Sequence, residues 1–487
     1  MIHSIKRGAL FIMVLFCFVC IIFVPQSIAS DDESVEGLMK HVRGGINVRL
    51  RDELWNTFER QDADTDRTYN FFLARTRGFI DVLWNNFTFH VMGQAVGALN
   101  LPENGAFGAG TSYFSASDMD EDLFDLHLME AYIQIKDLPF QGLYLKGGRI
   151  GIMEGAEVFY GETKIDWVIK NRLSERLIGN WDWTNVGRRF DGGIIGYSNP
   201  IFDINAFGAN VLKGGFDFDD GYEELDRVVV VGGAFTLKKD VVISGTQFRV
   251  FDYFYFDSRD PAVALAGDDL KINTIGASVA GAYEAGPGEV DLLLWFAFQT
   301  GNFGDLDQKA FGFIGEIGYQ FLEMLFKPWL RLGVAYASGD DDPDDSDNGT
   351  FFNMVPTNHK WYGYVDAVAF SNLVDAYFQL MLTLHSKVSF AIDGHIFRLA
   401  SDDEFWIAGS GPFNNQAFGY TFFQTVAGEQ IERDLGEELD FTLVFSPTKY
   451  LTFGIGYSHF FGGNGVDAVF DKEDQLDWFY AQTEIVF

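Results

Sequence analysis

The last thirteen residues, Gln475 to Phe487, alternate strictly in character. Phe487, Ile485, Thr483, Ala481 and Phe479 fall on one side, and Val486, Glu484, Gln482, Tyr480 and Trp478 on the other. A period of two is the signature of a β-strand, whose successive side chains point to opposite faces. One face suits lipid and the other suits water. Soluble proteins rarely end on such a strand, because termini fray and are polar. Strands that meet lipid must close on themselves, since no water is present there to satisfy an open edge.

The other end of the chain reads as an address. Met1 to Ala29 has a basic start (Lys6, Arg7), an apolar run from Gly8 to Val24 and a tail, Pro25 to Ala29, with small residues where a signal peptidase cuts. Residues 1–29 are therefore expected to be a cleaved secretory signal and residues 30–487 a single domain. The two cysteines, Cys17 and Cys20, lie inside the signal's apolar core. The mature chain is then expected to contain no cysteine and no disulfide.

After Val24 no apolar run is long enough for a spanning helix, yet 47% of the chain is hydrophobic and 16% aromatic, with 51 Phe and 53 Gly. That composition fits closed amphipathic strands with aromatic girdles. Near the start, Ile46, Val48 and Leu50 oppose Asn47, Arg49, Arg51 and Glu53. Next, Ala74, Thr76, Ile80, Val82 and Trp84 oppose Arg75, Arg77 and Asp81. Similar segments recur about 18 times, near residues 44-56, 69-84, 86-98, 126-137, 141-152, 186-198, 201-211, 227-238, 241-256, 270-284, 288-300, 308-322, 328-338, 372-384, 387-399, 436-446, 449-461 and 475-487. The expected fold is an all-β transmembrane antiparallel barrel, wide enough at this strand number to form a pore. Three long connections interrupt it: Leu99 to Asp125, Met153 to Asn185, and the acidic stretch that begins at Asp340. The second is long enough to hold a short helix or to fold inward as a constriction.

Three stretches resemble one family, the alginate export porins of Gram-negative outer membranes. The first runs Asp125-Leu126-His127-Leu128-Met129-Glu130-Ala131-Tyr132, with Gly148-Arg149 one strand later, into Arg176-Leu177-Ile178-Gly179-Asn180-Trp181-Asp182-Trp183 and on to Arg188-Arg189-Phe190-Asp191. The second is Tyr336-Ala337-Ser338-Gly339-Asp340-Asp341 with Pro356-Thr357-Asn358-His359-Lys360-Trp361, running on to Asp393-Gly394-His395. The third is Gly436-Glu437-Glu438-Leu439-Asp440 with Gly456-Tyr457-Ser458-His459. The resemblance implies a monomeric 18-stranded barrel that passes an anionic polysaccharide outward through a lumen lined with cations and their acidic neighbours. Carried onto matching positions, it marks Arg75, Arg149 and Arg189 as lumenal cations, with Glu130 and Asp191 as neighbouring acids. Periodicity adds Arg49 and Arg77, and puts Arg189 and Asp191 on one strand face. His395 completes the set of path residues. An arginine facing lipid at the midplane costs about 2 to 4 kcal/mol, so these side chains are expected to point inward. Guanidinium suits the task because its planar fork binds carboxylates bidentately. For any one arginine the alternative is a cross-strand ion pair that braces the wall.

Charge frames the substrate question. Removing Lys6 and Arg7 from 35 basic residues leaves 33 against 70 acidic ones, a net charge of −37. Many acids fall in loops, notably Asp118 to Asp125, Asp217 to Glu224 and Asp340 to Asp347, so a positive constriction inside a negative exterior is expected. Asp340, Asp342, Asp344 and Asp347 invite a Ca2+ reading, since hard cations take carboxylate oxygens. An EF-hand does not fit, because its register puts Val355 where a glutamate belongs. The plainer reading is a solvated extracellular loop and no cofactor. His127, His359, His395 and His459 are scattered, and the adjoining Ser458 and His459 must face opposite ways on a strand, so no enzyme is expected. The expected partners are outer-membrane lipid and lipopolysaccharide, an anionic polysaccharide and periplasmic export components, with no nucleic acid. The other readings of this fold are a general or small-solute uptake porin and a non-conducting structural barrel.

Overall fold

The computed structural model describes residues 41–61, 63–259, 269–409, 420–423 and 431–487. The expected signal, with Cys17 and Cys20, lies outside the described residues. The barrel strands are β1 (Val42–Asn56), β2 (Thr68–Trp84), β3 (Phe87–Leu99), β4 (Leu123–Lys136), β5 (Leu143–Ile150), β6 (Phe190–Ser198), β7 (Phe202–Leu212), β8 (Glu224–Leu237) and β9 (Thr246–Asp257). They continue with β10 (Leu270–Ala285), β11 (Gly288–Phe303), β12 (Leu306–Phe321), β13 (Trp329–Ala337), β14 (Leu373–His385), β15 (Val388–Arg398), β16 (Asp434–Thr448), β17 (Leu451–Gly462) and β18 (Leu476–Val486). Each pairs antiparallel with its neighbours in sequence, and β1 pairs with β18, so the 18 strands close into one barrel. At the seam Arg49 sits opposite Glu484, Arg51 opposite Gln482 and Trp55 opposite Trp478. The final residue shares in it: Phe487 N donates to Ile46 O at 2.9 Å and Phe487 O accepts from Ile46 N at 3.0 Å.

The outward face is apolar, carrying Ile80, Phe89, Val91, Phe296, Phe298, Phe313 and Ile455, all exposed. One rim has short connections, such as Asn85-Asn86 between β2 and β3 and Ser386-Lys387 between β14 and β15, and it also holds the start of β1 and the end of β18. The other rim carries long segments. Outer-membrane barrels turn short connections to the periplasm and long ones outward.

Two expected strands begin later than their pattern suggests. β6 starts at Phe190 because Val186 to Arg189 belong to a segment turned into the lumen, where Gly187 N bonds Thr184 Oγ1 at 3.1 Å. β9 starts at Thr246 because Asp240 caps a turn, accepting from Gly245 N at 2.7 Å, with Gly245 at φ +76°. Ser458 and His459 do face opposite ways. Ser458 bonds Asp440 on the inner face, while His459 meets the outward Asp477 at 2.8 Å.

The lumen is not an open tube. Toward the long-loop rim the inner faces are themselves apolar, for example Tyr69, Phe71 and Leu73 on β2 and Trp295 on β11, and they join one large core. Packed on them are α1 (Ala109–Ala116), residues 151–189 between β5 and β6, and residues 338–372 between β13 and β14. Residues 151–189 contain α2 (Thr163–Val168), which continues as a wider turn over Ile169–Leu173. The two inner segments pair in parallel at Ile178 and Val355, with Gly179 N to Val355 O at 3.0 Å and Val355 N to Leu177 O at 2.9 Å.

Near the seam, Glu53 is fully buried and accepts from Trp55 Nε1 at 3.0 Å, Trp478 Nε1 at 3.1 Å and Arg51 Nη1 at 3.3 Å. Removing one partner of a buried charge network leaves the others uncompensated. Glu53→Ala is expected to destabilise the barrel by roughly 3 kcal/mol, read as a lower temperature for loss of the compact, heat-modifiable band on electrophoresis. An unchanged temperature would remove the seam network from the account.

Candidate functional site: the constriction built by residues 151–189

Residues 151–189 cross the lumen and are tied to the wall at four places. Near their start, Glu154 and Glu157 meet Arg249 of β9, at 3.3 Å and 2.7 Å. Lys164, on α2, lies 3.7 Å over the Trp329 ring and contacts Gln320 at 2.5 Å and Glu289 at 3.3 Å. At the end of the helix, Arg172 and Arg176 share Glu316 of β12 at 2.9 and 3.0 Å, and Arg331 and the Tyr377 hydroxyl bond the same carboxylate at 2.8 and 2.6 Å. Glu316 is 1% exposed at its side chain, so four donors replace the water it has lost.

The fourth tie is the arginine cluster. Arg49 donates to Asp182 O at 3.2 Å and Thr184 O at 2.9 Å, and Arg75 to the same two carbonyls at 3.0 and 3.3 Å. Arg51 donates to Trp183 O at 3.3 Å. Arg77 reaches Val186 O at 3.3 Å and Asp182 Oδ1 at 2.9 Å. Arg189 bridges Glu130 at 2.8 Å and Asp182 at 3.3 Å. Burial works to raise the Asp182 carboxyl, but Arg189, Arg77 and Arg75 outweigh it and hold the group well below the usual carboxylate range. Asp182 keeps 41% of its side chain exposed, so this carboxylate faces the remaining aqueous space, with its guanidinium partners largely buried behind it. Trp183 lies beside it, stacked 3.7 Å from His359 and with Arg51 4.9 Å over its ring.

The wall at β14 to β16 carries buried acids, one of which holds the second inner segment. Glu438 accepts from Tyr364 N at 2.6 Å and Val365 N at 3.0 Å, and Asp375 meets His395 at 3.0 Å. All three side chains are buried behind residues 338–372. Lys360 of that segment bonds Glu175 of the other at 2.7 Å.

The residues singled out from sequence thus divide. Arg49, Arg75, Arg77, Arg189 and Glu130 come together, but Arg49 and Arg75 are 4% and 5% exposed and spend their donors on loop carbonyls. His395 is on the inner face, far round the barrel among acids. Arg149 and Asp191 are a correction. They form a bidentate pair at 2.8 Å, but on the face opposite the buried Ile150 and Phe190, the face that carries exposed Ile133 and Ile195. The pairing of Arg189 and Asp191 on one face fails because Arg189 precedes the strand. The physical reason for Arg149 is a gap in the wall: β5 pairs β4 only from Ala131 to Lys136, since the chain turns inward at Gly151. Arg149 Nη1 fills it, donating to Leu128 O at 3.2 Å.

In the acidic loop, both oxygens of Asp347 bind Lys309 at 2.7 Å, and Asp340 accepts from Asp342 N at 3.3 Å. Asp344 is exposed. Among the described residues no group of three His, Cys, Asp or Glu is placed to hold a metal ion.

Sequence reading missed Asp182, Arg51, Arg172, Arg176, Glu316 and Arg331. Arg172 and Arg176 carried no signal of helical spacing, because Arg176 lies past the last helical residue, Leu173, and reaches Glu316 from an irregular stretch. Glu316 was the one acid in the largely apolar run from Ala310 to Tyr319 of β12.

A closed 18-stranded barrel with an apolar outer belt and a loop-lined lumen defines an outer-membrane channel. The family model for alginate export matches residues 42–475, and the chain belongs to that family. None of the curated proteins matches it. Solved structures share the fold at low identity. OpdK of Pseudomonas aeruginosa with vanillate is 8% identical with a TM-score of 0.55, covering 91% of this chain and 98% of its own. OccK2 (OpdF) of the same organism, in complex with glucuronate, is 9% identical with a TM-score of 0.57, covering 92% and 98%.

Glu316→Gln is expected to release the end of α2 from the wall. The three guanidiniums lose their shared charge at a cost of roughly 3 kcal/mol, and single-channel conductance should rise and become noisy; unchanged conductance would mean that the tie does not hold the constriction. A pH effect follows from Glu154, whose carboxyl burial lifts to about 7 against the pull of Arg249. The folded state therefore keeps a proton that the unfolded chain releases near its ordinary value of 4.5, so this group's contribution to stability is larger at acid pH and declines between about 4.5 and 7. Urea unfolding of wild type against Glu154→Gln at pH 5 and pH 8 should show the wild type losing ground to the variant by roughly 1 to 3 kcal/mol. A difference that is flat with pH would contradict this.

Proposed function

We propose that this channel passes an anionic, alginate-like exopolysaccharide passively outward, as a monomer in the outer membrane of a Gram-negative bacterium and without enzymatic activity. The observation that carries the reading is the gathering of Arg49, Arg51, Arg75, Arg77 and Arg189 around one partly exposed carboxylate, Asp182. Five guanidiniums in one band exceed the carboxylates that answer them there, which favours an anion at short range. The long-range field of the acidic exterior is screened beyond about 8 Å at physiological salt. Buried Arg49 and Arg75 act in this reading by holding residues 182–186 in place. Arg77, the least buried of the five and already bound to the exposed carboxylate of Asp182, is the one that meets a uronate, with buried Arg189 behind it. Successive weak sites let a polyanion enter and leave. Lipopolysaccharide meets the outer rim, and periplasmic export components dock at the short turns.

A second reading is supported by the filled lumen. Cavities of about 520 and 750 Å³ flank residues 151–167, a size that suits small acidic solutes taken inward. The structurally similar OpdF is solved with glucuronate, a monomeric uronate, which is compatible with either direction.

Oligouronates of increasing length, added to the channel in planar bilayers, separate the two. Polymer export predicts blocks whose residence time lengthens with chain length and falls about tenfold in Arg77→Gln, the weight of one charge-assisted hydrogen bond. Brief block by monomers alone would favour solute uptake, and indifference to uronates of any length would overturn both.

A further inference from the structure

Below the arginine cluster, toward the short-turn rim, β4 to β7 and residues 151–157 enclose the cavity of about 520 Å³. Its polar lining includes Glu130, Gln134, Tyr144, Lys146, Asp203 and Asn205. The acids there are engaged. Glu130 is held by Arg189 at 2.8 Å, Glu157 by Arg249 at 2.7 Å, and buried Asp203 accepts from the Tyr144 hydroxyl at 3.2 Å. Lys146 differs from them. Its ammonium lies 4.0 Å over the Tyr132 ring, and among the described residues no carboxylate lies within ion-pair distance of it. A cation on an aromatic face keeps its remaining donors turned to the cavity.

We propose that this cavity is a binding subsite for one carboxylated sugar unit, with Lys146 receiving the carboxylate and Gln134, Tyr144 and Asn205 the hydroxyls. The subsite rests on the uronate reading above and adds the place where the ligand first binds on entering from the periplasmic rim. Ligand cavities of 300 to 1,000 Å³ with a few convergent polar groups are the usual small-molecule sites. Lysine suits a site that must release its ligand, since its ammonium is a compact, strongly hydrated point charge without the fixed fork of arginine. Glu130 belongs both to this cavity and to the Arg189 ion pair, which sets the subsite beside the arginine cluster.

The test is binding of the monosaccharide, independent of passage of any polymer. Full-length channel in detergent is titrated with glucuronate, and with glucose as the neutral control, by saturation-transfer NMR. Wild type is expected to bind glucuronate and not glucose, Lys146→Met to weaken it about tenfold, the weight of one charge-assisted hydrogen bond, and Lys146→Arg to retain it. A heat-modifiable band on electrophoresis like that of wild type shows that each variant is folded. If Lys146→Met does not fold, Lys146→Gln carries the same comparison. Absence of glucuronate binding to wild type, or equal binding by the charge-removing variant, would overturn the subsite. Failure of the export reading shows separately, as oligomers that do not block the current.

Discussion

Guanidinium groups on the wall of a water-filled barrel must find acceptors, and in this protein most of them find residues 151–189. Arg49, Arg51, Arg75 and Arg77 hold the carbonyls from Asp182 to Val186, Arg331 shares Glu316 with Arg172 and Arg176, and Arg249 holds Glu154 and Glu157. Each contact does two things. It satisfies a buried charge that would otherwise be costly, and it fixes one point of a long segment that has little regular structure of its own. The lumen's shape follows from these ties, because residues 338–372 in turn pair with the segment so fixed at Ile178 and Val355.

The barrel was legible because alternation is a local property. Each strand exposes its period within a dozen residues, and closure requires only that the first strand meet the last, as Ile46 and Phe487 do. The lumen was less so, because a side chain's inward direction does not say what fills the interior. Arg49 and Arg75 were correctly read as pointing inward, yet their donors go to loop carbonyls. Tyr69, Phe71 and Leu73 lie on the same inner face as Arg75, and they are apolar because loops cover them, a fact with no local signature. Arg149 and Asp191 escaped for a related reason. Their outward facing follows from where the chain leaves the wall, after Ile150 of β5 and before Phe190 of β6, and neither turn shows in the alternation of the strands.

Membership in the alginate export family and the barrel fold place the protein among outer-membrane channels. Buried acids on β14 and β16, Asp375 and Glu438, are occupied by His395 and the backbone of Tyr364 and Val365. Arg77, the least buried arginine of the cluster, pairs with the well-exposed Asp182, and buried Arg189 bridges Glu130 and Asp182. The chain as a whole carries a net charge of −35, against which the gathering of arginines at residues 182–189 stands out.

The reversal potential of single channels under a salt gradient tests this most directly. Measured in planar bilayers with potassium chloride on both sides at different concentrations, it should report preference for chloride, because five arginines gather at residues 182–189. A reversal potential showing strong preference for potassium would mean that the acidic exterior or the acidic wall governs passage, and would contradict the account.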